Sequence, residues 1–267
     1  MKNELIALGS DPELFLKDED GRNYPSEHFI KGDKYSPEDK GDGFFLLCDN
    51  VMVEFNTPPS YSLGEWMDNH KKALDMVRAE LPEYIYLDIA ASRTFEKQFL
   101  KSKLAKTFGC APDMNCWTLD NNVSPSSRSL LRTAAGHIHI SYTDSTIPQS
   151  IKIAKLCDYF LGLPSLFLDK DVDRRKMYGK AGAIRLKSWG FEYRVLSNFW
   201  LASPEYTKWI YLQTKMIFEF LHDNPDFDFA DMDDVVDAIN NYDLDKAQAV
   251  MNKYKDYFVT IKQELYV

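Results

Sequence analysis

The chain is short of cationic charge: 32 lysines and arginines stand against 41 aspartates and glutamates in 267 residues, a formal net charge of -9. That balance excludes the broad basic footprint expected when nucleic acid is the main partner. Long apolar runs are missing too. No stretch reaches the length needed to span a bilayer, and the opening "MKNELIALGSDPE" has neither a long apolar core nor a small-residue cleavage site, so the expected setting is cytoplasmic, with no membrane partner. Cys48, Cys110, Cys116 and Cys157 form no C-x-x-C pair, which excludes a zinc ribbon or dithiol redox motif and predicts reduced, buried thiols. No Walker motif, dinucleotide-binding glycine fingerprint or protein-kinase signature set occurs. Histidine is scarce, five in all, yet two stand one residue apart in "TAAGHIHISY", residues 133 to 142.

The chain is long enough for a large core, and its alternating strand and helix patterns predict an α+β fold. We expect one catalytic domain over residues 1–225, with a peripheral helical extension of it over 226–267. The first sixty residues read as two strands split by a polar excursion, residues 19–43, that is either a flap over a site or a surface loop. Trp66, His70, Leu74 and Val77 lie at helical spacing before Pro82, which assigns His70 to a helix. A strand over 84–91 and a short amphipathic helix over 95–108 follow. Residues 147–169 read as a helix interrupted or ended near Gly162 and Pro164. Ser203 and Pro204 open another, whose apolar stripe is Trp209, Leu212, Met216 and Phe220.

Strand side chains alternate between faces, so His137, His139 and Ser141 share one face while Ile138 and Ile140 share the other. Three further segments repeat this pattern. Asp11 and Glu13 share a face backed by Leu14 and Leu16, Glu54 and Asn56 one backed by Val53 and Phe55, and Glu192 and Arg194 one backed by Phe191, Tyr193 and Val195. Each pair alone describes a sheet with one wet face. Gathered on one sheet, the acids raise each other's pKa unless cations intervene, and a hard divalent cation resolves that repulsion: Mg2+, or Mn2+ where imidazole joins the carboxylates.

Between the histidine strand and the last of these segments lies "DRRKMYGKAGAIRLKSWGFEYR". Arg174, Arg175, Arg185 and Arg194, with Lys180 between glycines, supply donors suited to phosphate or carboxylate oxygens, whereas Lys176 and Lys187 suit an ordinary exposed loop. Acids that hold metal, beside arginines aimed at anions, describe phosphoryl transfer, with ATP as the obvious donor. A zinc-dependent hydrolase built on the His-x-His strand is the enzymatic alternative, although His28, His70 and His222 have no partner at a useful spacing. A non-catalytic nucleotide- or peptide-binding module is the other.

The segments "GSDPELFL", "DNVMVEFNTPP", "FGCAPDMNCW", "AAGHIHIS" and "RRKMYGKAGAIRLKSWGFEYRVLSNFW" resemble the phage-encoded COOH·NH2 ligases, type 2, of the glutamine synthetase and γ-glutamylcysteine ligase superfamily. The resemblance spans residues 9 to 201. It implies a strongly bent antiparallel sheet of the glutamine synthetase catalytic-domain type, with helices on its outer face and divalent metals held between ATP and substrate. Glu13 and Glu54 would bind one metal, and His137, Glu192 and Asp11 another. His139, Arg174, Arg175, Lys180 and Arg185 would face the nucleotide phosphates. Arg185 and Arg194 would act on the transferring group, and Asn56, Asp113 and Arg194 would hold substrate, with Asp113 as the candidate base. The implied reaction joins a carboxylate to an amine through an acyl phosphate. The substrates would be small molecules, peptides, or a host or phage protein, in the host cytoplasm if the chain is phage-encoded. Relatives often carry Glu where this chain has Asp11, and Pro12 interrupts a strand expected to be regular.

Overall fold

The strands, in the order the chain makes them, are β1 (Ile6–Lys17), β2 (Asn23–Tyr24), β3 (Glu38–Gly41), β4 (Phe44–Asp49), β5 (Met52–Asn56), β6 (Tyr86–Asp88), β7 (Ser92–Thr94), β8 (Met114–Asn115), β9 (Leu131–Thr133), β10 (Gly136–Tyr142), β11 (Ala183–Lys187) and β12 (Gly190–Tyr193). They belong to a computed structural model that describes residues 5–106, 113–122 and 129–261. Cys110, residues 107–108 of the expected helix and the first part of the 108–117 segment lie outside these. The main sheet runs β3-β4-β5-β1-β10-β12-β11-β8, with β2 and β6 also pairing β1, while β7 and β9 form a separate ribbon. Its named pairings are antiparallel. The fold is therefore α+β, as its alternation predicts.

β1 is the spine. β10 pairs with it from Ile6 to Pro12 along one edge, and β5 joins the other edge at Glu13 and Leu14. Pro12 fits because donors of even-numbered residues face the β5 edge before pairing starts. Leu8 N–H reaches the Ser60 carbonyl at 2.9 Å and Ser10 N–H the Thr57 hydroxyl at 3.0 Å, so the missing donor of Pro12 falls where no strand bond is lost.

Leu8, Leu14, Val53, Phe55, Ile138, Ile140, Phe191 and Tyr193 form the apolar face and are buried. Helices α1 (Leu63–Glu80), α3 (Ile147–Cys157), α4 (Leu163–Leu168), α6 (Pro204–Asp223), α7 (Met232–Asn241) and α8 (Leu244–Lys253) cover that face, whereas α2 (Lys103–Lys106) packs Ala105 into a second cluster with Phe15, Val51 and Met52, and α5 (Val172–Met177) buries Arg174 and Arg175 instead of apolar side chains. Trp66, Ile153, Leu166, Ile210 and Val250 share one core with the sheet. α1 starts where the Ser62 hydroxyl accepts the Glu65 N–H at 3.2 Å, and His70 points from it into the core. Its ring nitrogens lie 2.7 Å from the Ser10 hydroxyl and 2.7 Å from the Trp66 carbonyl oxygen; burial lowers its pKa to about 4, keeping it neutral.

Four local expectations change. The stripe of α6 is wider than predicted: Ile210, Gln213, Thr214, Ile217 and Leu221 are buried while Leu212 and Met216 are only half-buried, because the helix packs on both α1 and α3. The 147–169 segment continues through Gly162 as one turn of π-helix, Asp158–Gly162. There the buried Asp158 accepts bonds from Trp117 Nε1 and Tyr193 OH, both at 2.7 Å. Residues 95–106 form a 3-10 turn, Lys97–Leu100, and then α2 rather than one helix. Finally, α7 and α8 are not peripheral: Val235, Ala238, Ile239, Ala247 and Val250 enter the main core, and acidic residues such as Asp233 and Asp234 take the outer positions. Among the described residues, no helix is long and apolar enough to cross a membrane.

Candidate functional site

The opposite face of the sheet carries the polar residues, and strand register brings them together. Asp11 stands opposite His137, Glu13 opposite Glu54, and His139 and Arg185 each opposite Glu192. Asp11, Glu13, Glu54, His137, Arg185 and Arg194 line part of a cleft of about 210 Å³, and His139 and Glu192 stand beside it, next to Asp11 and Arg185. Four segments widely separated in the chain thus share one concave wall.

At one end, carboxylate oxygens of Glu13, Asp49 and Glu54 lie within 4.8 Å of one another. The Ala135 N–H donates to Glu13 Oε2 at 2.7 Å, Asn56 Nδ2 stands 3.5 Å from Glu54 Oε1, and Asp49 Oδ1 is buried without a hydrogen-bond partner. None of the three makes an ion pair among the described residues. Burial and the neighbouring Asp49 charge raise Glu13 to about 8, and burial with surrounding acids raises Glu54 well above the carboxylate range. Asp49 also rises, by burial, although Lys34 opposes it. These acids lack the counter-charge that a divalent cation supplies.

The second group is Asp11, His139 and Glu192, again with ligand atoms within 4.8 Å. Asp11 Oδ1 lies 3.1 Å from His137 Nδ1 and 3.2 Å from His139 Nε2. Burial would raise Asp11, but the two imidazoles outweigh it and hold the carboxyl well below its usual range. His139 is raised because the Asp11 charge overcomes burial; His137 is lowered by burial and by Arg194. Glu192 resists burial and the Asp11 charge through His139, Lys187 and Arg185, and its pKa is lowered. Lys187 Nζ is 2.7 Å from Glu192 Oε1, and Arg185 Nη1 is 2.9 Å from Glu192 Oε2. Among the described residues, Nε2 of His137 is buried without a hydrogen-bond partner, and that of His139 meets only the Asp11 carboxylate. Imidazole nitrogens placed like this beside carboxylates fit a metal-ligand set.

Arg194 links the groups. Its Nε donates to Asp113 Oδ1 at 2.5 Å, Nη1 to Glu192 Oε2 at 3.0 Å, and Nη2 to the Tyr178 hydroxyl at 2.5 Å; Nη1 also lies 3.2 Å from His137 Nδ1. A buried guanidinium aligned in this way is a rigid anion-facing group.

The structure corrects part of the expected set. Arg174 does not face the cleft: its guanidinium donates to the carbonyl oxygens of Ala134, Val195 and Leu196 at 2.8–2.9 Å, bracing backbone behind the site. Arg175 is buried elsewhere, donating to Ser165 Oγ at 3.1 Å, and Lys180 reaches the Asn240 carbonyl at 3.3 Å. Neither lines the cleft. The imidazoles exchange expected places, since His139 joins Asp11 and Glu192 while His137 stands between Asp11 and Arg194. Lys187, expected in an ordinary exposed loop, instead ends β11 and pairs with Glu192 of the second acid group.

Asp49, Lys34 and Tyr178 are additions. Asp49 ends an apolar strand just before a turn at Asn50, where an aspartate reads as turn chemistry, although its alternation with Leu47 was the available signal. Lys34 comes from the polar excursion, whose Gly32 packs so closely on β4 that a Cβ would strike the Leu46 carbonyl. The excursion therefore borders the cleft.

No curated protein matches the chain. A solved structure, the bifunctional glutathione synthetase from Pasteurella multocida, is similar over 94% of this chain and 49% of its own at 8% sequence identity, with a TM-score of 0.48; the chain spans about half the length of that protein. Residues 131–262 match the family described as phage phiEco32-like COOH.NH2 ligase-type 2. That stretch, just under half of the chain, contributes His137, Arg185 and Arg194 to the cleft lining and His139 and Glu192 to the second acid group, so the likeness to this family falls on the residues of the polar wall.

Proposed function

We propose that the chain is an ATP- and Mg2+-dependent carboxylate–amine ligase that forms an amide bond through an acyl phosphate. One observation carries the reading: an acid group without ion-pair partners among the described residues, Glu13, Asp49 and Glu54, shares a sheet face with a second group, Asp11, His139 and Glu192, and with Arg185 and Arg194, and of these His139, Arg185, Glu192 and Arg194 fall in the matched family stretch. In this reading Glu13, Asp49 and Glu54 hold one divalent cation, and Asp11, His139 and Glu192 hold another. Such cations neutralise phosphate oxygens and favour attack at phosphorus.

A substrate carboxylate oxygen bonds to the γ-phosphorus of ATP while the bond to ADP breaks. The amine nitrogen then attacks the acyl carbon, inorganic phosphate leaves with the acyl oxygen's electron pair, and one amine proton passes to a base. Arg185 and Arg194 hold negative charge in place during both displacements. Asp113, fixed against Arg194, holds the incoming amine and takes its proton. The same reading treats residues 226–267 as an extension of one catalytic domain.

The zinc-hydrolase alternative gains no ligand. His70 is buried on the apolar side, His28 packs against Phe29 and Phe99, and His222 sits in the last turn of α6. Phosphate release from Mg-ATP, screened over carboxylate and amine pairs with mass spectrometry of the product, tests the ligase. Turnover should require both substrates, and Glu54→Gln or Arg194→Ala should abolish it without unfolding the chain. Full activity in both variants rejects the assignment; tight ATP binding without turnover in any pair favours a non-catalytic module.

A further inference from the structure

The polar face runs in layers set by strand register. Glu13 and Glu54 form the first, Asp11 and His137 the next, His139 and Glu192 the third, and Ser141 opposite Gly190 the last. Arg194, Asp113 and Lys34 stand toward the first end. At the last end, Ser188 and Trp189 join β11 to β12. The Trp189 indole leans on His139, ring centroids 5.7 Å apart and planes tilted by 45°. Ser145 Oγ tethers the turn by donating to the Ser188 carbonyl at 3.2 Å.

Trp189 stands apart from the other tryptophans. It is 37% exposed, whereas Trp66, Trp200 and Trp209 are buried and Trp117 is half-buried against Phe229. A two-residue hairpin turn ordinarily carries glycine or small polar residues, so an indole held in water there breaks a local rule without adding to the core. Its surroundings suggest what it serves. Lys187, two residues earlier, reaches Glu192, and His139 beneath the indole belongs to the Asp11 group. Phosphates held at this layer would leave the remainder of a nucleotide to extend past it, toward the turn.

We infer that Trp189 is the platform on which the base of a nucleoside triphosphate stacks, and that the nucleotide enters from the β11–β12 end while the acid and amine occupy the Arg194 end. The inference rests on the ATP-driven reading and adds a direction and a base-contacting residue to it. Every base presents a flat π-face, so an indole contributes affinity through stacking without base-edge recognition. The same position favours a purine over a bare polyphosphate.

The test is a tryptophan fluorescence and calorimetric titration of the whole chain in Mn2+, using β,γ-imido-ATP and inorganic tripolyphosphate as probes. In the wild type, the nucleotide should quench emission and tripolyphosphate should not. Trp189→Ala should remove the quench and weaken the nucleotide about tenfold, with tripolyphosphate affinity unchanged. Trp189→Phe, which keeps a ring, should retain most of the affinity. Equal nucleotide affinity in the alanine variant overturns the platform while leaving the ligase reading intact. An equal loss for both probes also overturns it, because Trp189 then only orders His139. A wild type that binds neither probe refutes the ATP-driven reading and this inference with it.

Discussion

Replacing Asp158 with asparagine should change how stability depends on pH, and the structure sets the size. Asp158 is fully buried, and burial raises it to about 7 from an ordinary 3.8 despite the bonds from Trp117 and Tyr193. Below pH 3.8 the carboxyl is protonated whether the chain is folded or not. Between 3.8 and about 7 the folded chain binds a proton that the unfolded chain has lost, so stability falls as pH rises, and above 7 the full cost remains. At about 1.4 kcal/mol per pH unit that cost is a little over 4 kcal/mol. In Asp158→Asn the amide oxygen can accept from Trp117, and the amide NH2 can donate to a Tyr193 hydroxyl that reverses its role, so the bonds survive without the charge. Thermal melts of both proteins at pH 5 and pH 8.5 should show the variant gaining several degrees relative to wild type at the higher pH, at roughly 2 °C per kcal/mol. Parallel pH profiles for the two proteins would refute the reasoning, since they would mean that the buried carboxyl ionises without cost.

Divalent cation binding at Glu13, Asp49 and Glu54 should release protons, because all three acids are raised in its absence; Mn2+ affinity measured calorimetrically in buffers of different ionisation enthalpy should climb with pH toward 8, and Glu54→Gln should flatten that climb. Arg174→Ala should destabilise the fold by about 3–5 kcal/mol by chemical denaturation, since three buried carbonyls lose their donor.

Much of this site was readable because period-two alternation is local. Polar pairs at 11 and 13, 54 and 56, 137 and 139, and 192 and 194 each announce a wet strand face backed by a buried one, and the register of β1 with β5 and β10 and of β10 with β12 turns four local patterns into one wall. Arginine is where sequence reading failed. Arg174, Arg175, Arg185 and Arg194 look alike in a cation-rich stretch, yet Arg174 and Arg175 lie on the short helix α5 behind the sheet, while Arg185 and Arg194 lie on the cleft side of β11 and just past β12. Helix or strand placement decides which guanidinium meets backbone carbonyls and which meets acids, and the 174–180 stretch carries no clear period to show it. Lys34 was hidden for a related reason: its position depends on Gly32 fitting against β4, a tertiary contact with no local sequence signal.

The charges in the cleft are unevenly matched, and that unevenness constrains the ligand. Arg194, Arg185 and Lys187 all converge on Asp113 and Glu192, so the cations offset acids at one side and leave Glu13, Asp49 and Glu54 without ion-pair partners among the described residues. A purely anionic ligand would meet those acids unfavourably, and a purely cationic one would leave Arg185 and Arg194 nothing to bind beyond the acids they already hold. A phosphate chain that arrives with divalent cations carries both signs in the arrangement this wall presents, with metal toward the unpaired acids and oxygens toward the guanidinium groups. Under the proposed ligase reading, such complementarity favours metal-nucleotide over free nucleotide or free metal as the species the cleft takes up.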